Sequence, residues 1–113
     1  MTAQQGRPRS SRLAGRADRT RVLELGRRRR SGCLECIWMD NGSGHPRMGL
    51  IVPRFQSTAV ARNRLRRRLG EIWRREVQGR QGGVDLLIRA RREAYGASFA
   101  ELREDLLTWL KAP

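Results

Sequence analysis

Lysine is almost missing from this chain. Lys111 is its one example, so nearly all the positive charge is arginine, set against eleven acidic residues for a formal net charge of +14 over 113 residues. Arginine carries a planar fork of donors that matches phosphate and stacks on bases, so the skew favours RNA or DNA as the partner; a biased genome would produce the same skew. Long apolar runs are missing too. No stretch approaches the ~20 apolar residues of a membrane span. The basic N-terminus has no apolar segment of the kind a secretory signal needs. The most basic stretch carries no exposed aromatic or leucine wedge for a membrane surface. A cytoplasmic protein with no membrane partner is expected.

Catalytic constellations are also lacking. The acids are scattered along the chain, with no Asp-x-Asp or Asp-x-Glu pair to hold two metals. There is no Gly-x-Ser-x-Gly and no phosphate-binding glycine loop. The single histidine, His45, precedes Pro46 in a glycine-rich stretch and reads as an exposed loop residue. Cys33 and Cys36 form a lone Cys-x-x-Cys; a zinc site needs a second pair, and only His45 is on offer. The segment reads as a strand, on which positions three apart face opposite sides. No catalytic and no metal-ligating residue is assigned, and residue chemistry alone points to a binding protein.

What is present is concentrated between Ala59 and Glu76. Arg62, Asn63, Arg64, Arg66, Arg67 and Arg68 crowd the start of this segment, and Arg74 and Arg75 its end. At about 100° per residue Leu65, Leu69, Ile72 and Trp73 gather into one apolar stripe, and the arginines spread over the remaining arc. A helix anchored on one side and densely cationic on the other suits a polyanion. The alternative is a solvated charged face, but such faces normally mix signs at i,i+4, and here only Glu71 and Glu76 interrupt.

The length allows one domain with one modest core. Residues 1–15 read as a disordered basic tail, and 16–113 as the folded domain. Asp18 is a candidate cap for a short helix that carries Val22 and Leu25 on one side and ends at Gly26. A four-arginine run, Arg27–Arg30, then leads to a strand over 33–39. A loop at 40–46 and a second strand over 48–52 read as the rest of an antiparallel hairpin. Ser57 or Thr58 caps the basic helix, and 84–88 is a strand of buried type. Ser98 and Glu101 form a capping box for a last helix whose core face is Phe99, Leu102, Leu106, Trp109 and Leu110. The expected class is α+β: a single antiparallel or mixed sheet of three to four strands, in the order α-β-β(-β)-α-β-α.

The segment Ala59-Val60-Ala61-Arg62-Asn63-Arg64-Leu65-Arg66-Arg67 resembles the signature helix of the protein component of bacterial ribonuclease P. The flanking strands Arg47–Val52 and Gly83–Arg91, and the helix opening at Ser98–Leu102, resemble the same family. The resemblance implies a left-handed strand–helix–strand crossover. It also implies a role: assisting a catalytic RNA, which with magnesium removes the 5′ leader of precursor tRNA, while the protein by itself binds no cofactor and cuts nothing. The implied partners are the catalytic RNA and precursor tRNA, with the protein monomeric in the complex. RNA-contacting positions carried over onto the helix are Arg62, Asn63, Arg64, Arg66 and Arg67; Arg68 and Arg74 join them as RNA-binding candidates from the cationic face itself. A cleft for the leader, between the sheet and the first helix, falls on Arg19, Leu23, Ile37, Arg54 and Phe55. The family commonly has aromatics at the first three of these and a lysine pair at the last two; Arg19 and Phe55 are expected as partial substitutes in stacking on bases. An alternative of another class is a structural or chaperone-like RNA-binding protein with no processing role.

Overall fold

Val84-Asp85-Leu86-Leu87-Ile88 has apolar side chains at consecutive positions, and a strand of that kind needs cover on both faces. The computed structural model describes residues 12, 13, 15–79 and 82–111. Its elements are α1 (Arg16–Leu25), β1 (Arg27–Ser31), β2 (Leu34–Asp40), β3 (Arg47–Ile51), α2 (Ala59–Glu76), β4 (Val84–Ala90), a short 3-10 helix (Arg92–Gly96) and α3 (Phe99–Lys111). The strands form one sheet in the order β1-β2-β4-β3. β4 lies inside it, with Leu86, Leu87 and Ile88 all fully buried.

The α+β class and four strands agree with the expectation from sequence, but the pairing does not. β2 and β3 are not a hairpin. β4 inserts between them, antiparallel to β2 and parallel to β3, so α2 is the crossover joining two parallel neighbours. The strand that is apolar on both sides takes the inner position, where both sides can be dry. The run Arg27–Arg30 is no linker either. It is edge strand β1, antiparallel to β2 in the register Arg28↔Ile37 and Arg30↔Glu35. An arginine-rich edge presents its open backbone with charge beside it, which discourages edge-to-edge association.

Period-two alternation divides the side chains of the sheet. Leu34 and Cys36 of β2, Met48 and Leu50 of β3, and Leu86 and Ile88 of β4 meet Leu65, Leu69, Ile72 and Trp73 of α2 and Leu102, Leu106 and Trp109 of α3 in the main core. Trp109 is a core residue, as its helical spacing predicts, and packs edge-on to Trp38 with ring centroids 5.7 Å apart. The opposite face has a much smaller cluster: Leu13, Val22, Ile37 and Leu87, with Leu23, Met39 and Ile51 at its margin.

Local signals set the helix ends. Thr58 Oγ1 accepts from Ala61 N–H at 3.1 Å and caps α2. The Ser98–Glu101 box is reciprocal, at 2.8 and 3.1 Å. Asp18 does not cap α1. Gly15 occupies the cap, and Asp18 lies inside the first turn, where its charge still suits the helix dipole and pairs with Arg47 at 3.3 Å. Leu25 is exposed, so the buried stripe of α1 reduces to Val22. The expected basic tail falls outside the described residues for 1–11 and 14, but Arg12 and Leu13 lie along β3. There Leu13 N–H donates to the Met48 carbonyl at 2.9 Å, so ordered chain begins before residue 16.

Cys33 is not in the strand. Gly32, at φ 58°, makes the β1–β2 turn, and Cys33 closes it by donating its N–H to Asp105 Oδ2 of α3 at 2.9 Å. A Cβ at Gly32 would lie 2.1 Å from the Asp105 carboxylate, so the turn needs glycine for contact as well as for φ. Both cysteines therefore pack on the main core, not on opposite faces. Burial pushes the Cys36 thiol up to about 12, which leaves it unreactive.

Candidate nucleic-acid interface

α2 buries Leu65, Leu69, Ile72 and Trp73, the stripe that sequence periodicity predicts. Its remaining surface divides into three strips. On the crest Asn63, Arg64 and Arg67 are exposed, with no hydrogen bond or ion pair among the described residues. On the flank towards β3, Arg62 and Arg66 share a groove with Arg19 and Pro53. Arg62 Nε also donates to the Val52 carbonyl at 2.8 Å, which ties the start of α2 to the end of β3. On the flank towards α3, Arg68 donates to the Ala97 carbonyl at 3.2 Å, and Arg75 lies 5.6 Å from the Phe99 ring centre.

Of the seven helix positions singled out by sequence, five are therefore turned to solvent as cations or donors: Arg62, Asn63, Arg64, Arg66 and Arg67. Arg68 is half-buried against the 3-10 segment. Arg74 is half-buried and paired with Glu71, which Arg75 also reaches at 2.7 Å. Hydrogen bonds from Arg74 and then Arg75 hold the Glu71 carboxyl below the usual carboxylate range. The positive field is thus strongest over the first half of α2 and partly neutralised over the second.

The five cleft positions are not one cluster. Ile37 is fully buried beneath α1, and Leu23 lies half-buried at the edge of the same small cluster. Arg19 is engaged with backbone: its Nη2 donates to the Leu50 carbonyl at 3.0 Å and its Nη1 to Leu13 at 3.4 Å. It passes over Gly49, where a Cβ would lie 3.0 Å from its Nη1 and 2.7 Å from the Leu13 carbonyl. Arg19 staples α1 and the N-terminal segment to β3. Arg54 is exposed in the β3–α2 connection.

Phe55 is the one aromatic among the five and remains partly exposed. Its backbone is left-handed, φ 51°, a conformation costing a non-glycine residue of order 1–3 kcal/mol, so its surroundings must hold it. Tyr95 does so edge-on, at 6.2 Å between centroids, and donates its hydroxyl to the Pro53 carbonyl at 2.6 Å. Arg92 lies 4.8 Å over the Phe55 ring. Neither Tyr95 nor Arg92 stands out in the sequence: they lie in a 3-10 turn, with no periodicity to mark them.

Behind the surface, a half-buried ion pair fixes β3 against β4 where α1 crosses. Arg47 meets Asp85 through both ends of its fork, at 2.8 and 2.6 Å, and Asn41 donates to the same carboxylate at 2.9 Å. The Asp85 hydrogen bond raises the Arg47 pKa further above its ordinary value. Among the described residues no three His, Cys, Asp or Glu side chains gather where a metal ion would be held. The arrangement can bind a phosphodiester backbone and a small number of bases.

A basic helix laid over a four-stranded mixed sheet, with an aromatic ring and arginines at the sheet's far end, defines a nucleic-acid-binding domain of the α+β class. Comparison with known proteins gives the particular family. Residues 8–113 match the family described as Ribonuclease P. The chain is 36% identical over 105 residues to the ribonuclease P protein component of Xanthomonas oryzae, covering 92% of this chain and 71% of that one. It is 38% identical over 89 residues to that of Thermus scotoductus, and there spans 52% of the relative's length. Among solved structures, the Thermotoga maritima RNase P protein in complex with 1-(4-fluorophenyl)-2-thiourea superposes with a TM-score of 0.81 at 28% identity, over 90% of this chain and 99% of that one. The Staphylococcus aureus RNase P protein shares the fold, with a TM-score of 0.81 at 22% identity, over 89% of this chain and 93% of that one. The chain belongs to the ribonuclease P protein family, the RNA-binding subunit of that ribonucleoprotein.

Proposed function

We propose that this chain binds the catalytic RNA of a ribonuclease P through the first half of α2 and assists it in removing the 5′ leader of precursor tRNA. The observation that carries the reading is the set Arg62, Asn63, Arg64, Arg66 and Arg67, solvent-facing on a helix whose other side is anchored in the main core. Such a helix presents its cations from fixed backbone positions, so little backbone freedom is lost when phosphates dock. The outer face of the sheet, beyond α1, is the path assigned to the leader. Magnesium belongs to the RNA in this reading and supplies the cleavage chemistry there; the protein positions and neutralises. One copy serves each RNA, and the cytoplasm is the compartment.

Reconstitution tests this. RNA-free protein should leave precursor tRNA intact, and addition of the catalytic RNA with magnesium at low ionic strength should restore leader removal. Cleavage by rigorously RNA-free protein would overturn the assignment of roles. Affinity for the catalytic RNA should fall with salt on a log–log slope of roughly −4 to −5, as about six neutralised phosphates imply. A slope shallower than about −1 is incompatible with electrostatic docking of α2.

A further inference from the structure

The outer face of the sheet is covered unevenly. α1 lies over Ile37 and Leu87. Beyond it, where β2 begins and β4 ends, a cavity of about 420 Å³ opens, its polar and aromatic lining made of Arg30, Glu35, Phe55, Arg89, Arg91, Arg92 and Glu93. The floor is the cross-strand pair Glu35↔Arg89, in which Arg89 Nη1 meets Glu35 Oε1 at 3.1 Å. The wall is the Phe55 ring, braced by Tyr95 and overhung by Arg92. Arg30 enters from the edge strand.

Each component fits a different part of one nucleotide. An aromatic ring beside a guanidinium offers stacking to any base. Arginines at the rim suit its phosphates. Glu35, on the floor, is the discriminating group, because in a site that only tracks backbone a carboxylate there would repel the ligand; Glu93 at the rim is offset by Arg91, 3.8 Å away. Glu35 has acceptor capacity beyond its bond to Arg89, since a carboxylate offers about four lone-pair sites. It therefore selects a base edge rich in N–H donors. Guanine presents two adjacent donors on its Watson–Crick edge, and adenine and cytosine one amino group each. Uracil has a single N–H between two carbonyls that the carboxylate repels.

We propose that this cavity is a binding site for one unpaired guanine nucleotide of RNA, with its base on Phe55, its donor edge on Glu35 and its phosphates on Arg30 and Arg91. The proposal rests on reading the chain as the RNA-binding subunit of ribonuclease P. The guanine comes from the precursor's leader or from an unpaired position of the catalytic RNA.

The test is fluorescence anisotropy with the full chain and labelled single-stranded oligonucleotides: all-uridine, or uridine with one central guanosine, adenosine or cytidine. The guanosine oligonucleotide should bind tightest and all-uridine weakest, differing by about five- to hundredfold, the range of one good base-edge pairing. Glu35→Gln, confirmed folded by circular dichroism, should abolish most of that preference. Phe55→Leu should weaken all four and keep their order. Equal affinity for the guanosine and uridine strands, or a preference that survives Glu35→Gln, would overturn the site. Activation of the catalytic RNA is measured on the same samples, so a failed pocket with intact activation leaves the family function standing. Loss of activation itself would count against that function. Precursors with all-uridine leaders, with a single leader guanosine, or with no leader then separate the two sources.

Discussion

The two faces of the sheet are built to different standards. The face under α2 and α3 is dry and continuous, from Leu34 to Trp109. The face under α1 has a small apolar cluster, an arginine stapled to backbone carbonyls, an ion pair and an open cavity. A domain of this size has enough apolar area for one good core, and it spends that area on the side that holds the basic helix rigid. The other side can then stay open and polar, as binding a nucleotide requires. The plane of the sheet gives a separation between the dry core, which carries the cationic helix on its outer surface, and the open cavity on the other side.

Core truncation tests that separation most severely. Leu69→Ala, on the dry side, should cost about 2–5 kcal/mol by urea denaturation. Val22→Ala, beneath α1, should cost about 1.5–2.5 kcal/mol, from ~0.8 kcal/mol per buried methylene plus a small cavity. Equal losses would mean that α1 is as firmly integrated as α2.

Charge removal from the crest of α2 comes next. Arg67→Ala should weaken binding to the catalytic RNA by about 1.5–3 kcal/mol if its phosphate contact is well desolvated, with unfolding unchanged. Arg62→Ala should show both effects, because it also loses the bond to the Val52 carbonyl. Filter binding and thermal denaturation on the two variants distinguish the cases. An Arg67→Ala protein that binds like the wild type would remove the crest as the docking surface.

Asp85→Asn should cost about 1–3 kcal/mol, since the carboxylate is nearly buried and Arg47 keeps only the more exposed Asp18. The loss should appear in thermal melts without a change in the salt slope of RNA binding.

The smallest effect belongs to Glu71. Its carboxyl titrates lower in the folded state than its ordinary value of 4.5, so its contribution is complete above that value and disappears as pH falls through the lower folded one. The wild type should be slightly more stable than Glu71→Gln at neutral pH, and their urea midpoints should converge in acid. The same substitution removes a negative charge beside Arg74 and Arg75 and should raise RNA affinity slightly. A fall in affinity would show that the Glu71 cluster is itself an RNA contact.

The cleft explains why reading from sequence succeeds on one side and not on the other. α2 was legible because its apolar stripe repeats on the helical period and a capping residue marks its start, so each arginine's direction follows from its number. Arg19, Leu23, Ile37, Arg54 and Phe55 come from three separate segments, and only tertiary packing sets where they point. It buries Ile37 under Val22, turns Arg19 into a staple and leaves Phe55 exposed beside Tyr95, a partner forty residues away with no periodic mark. The hairpin expectation failed for a related reason. Neighbouring strands in sequence usually pair, but the choice of inner strand depends on which one needs cover on both faces.

By itself, the sequence determined that this is a small, strongly basic α+β domain with a cationic helix anchored on its apolar stripe, because charge and periodicity are local properties that survive any arrangement of the elements. Only the tertiary structure decided that β4 lies between β2 and β3, that Arg27–Arg30 form an edge strand and that Phe55, Glu35 and Arg92 enclose one cavity. Those outcomes depend on which surfaces exclude water together, a competition among segments far apart in the chain that no local pattern records.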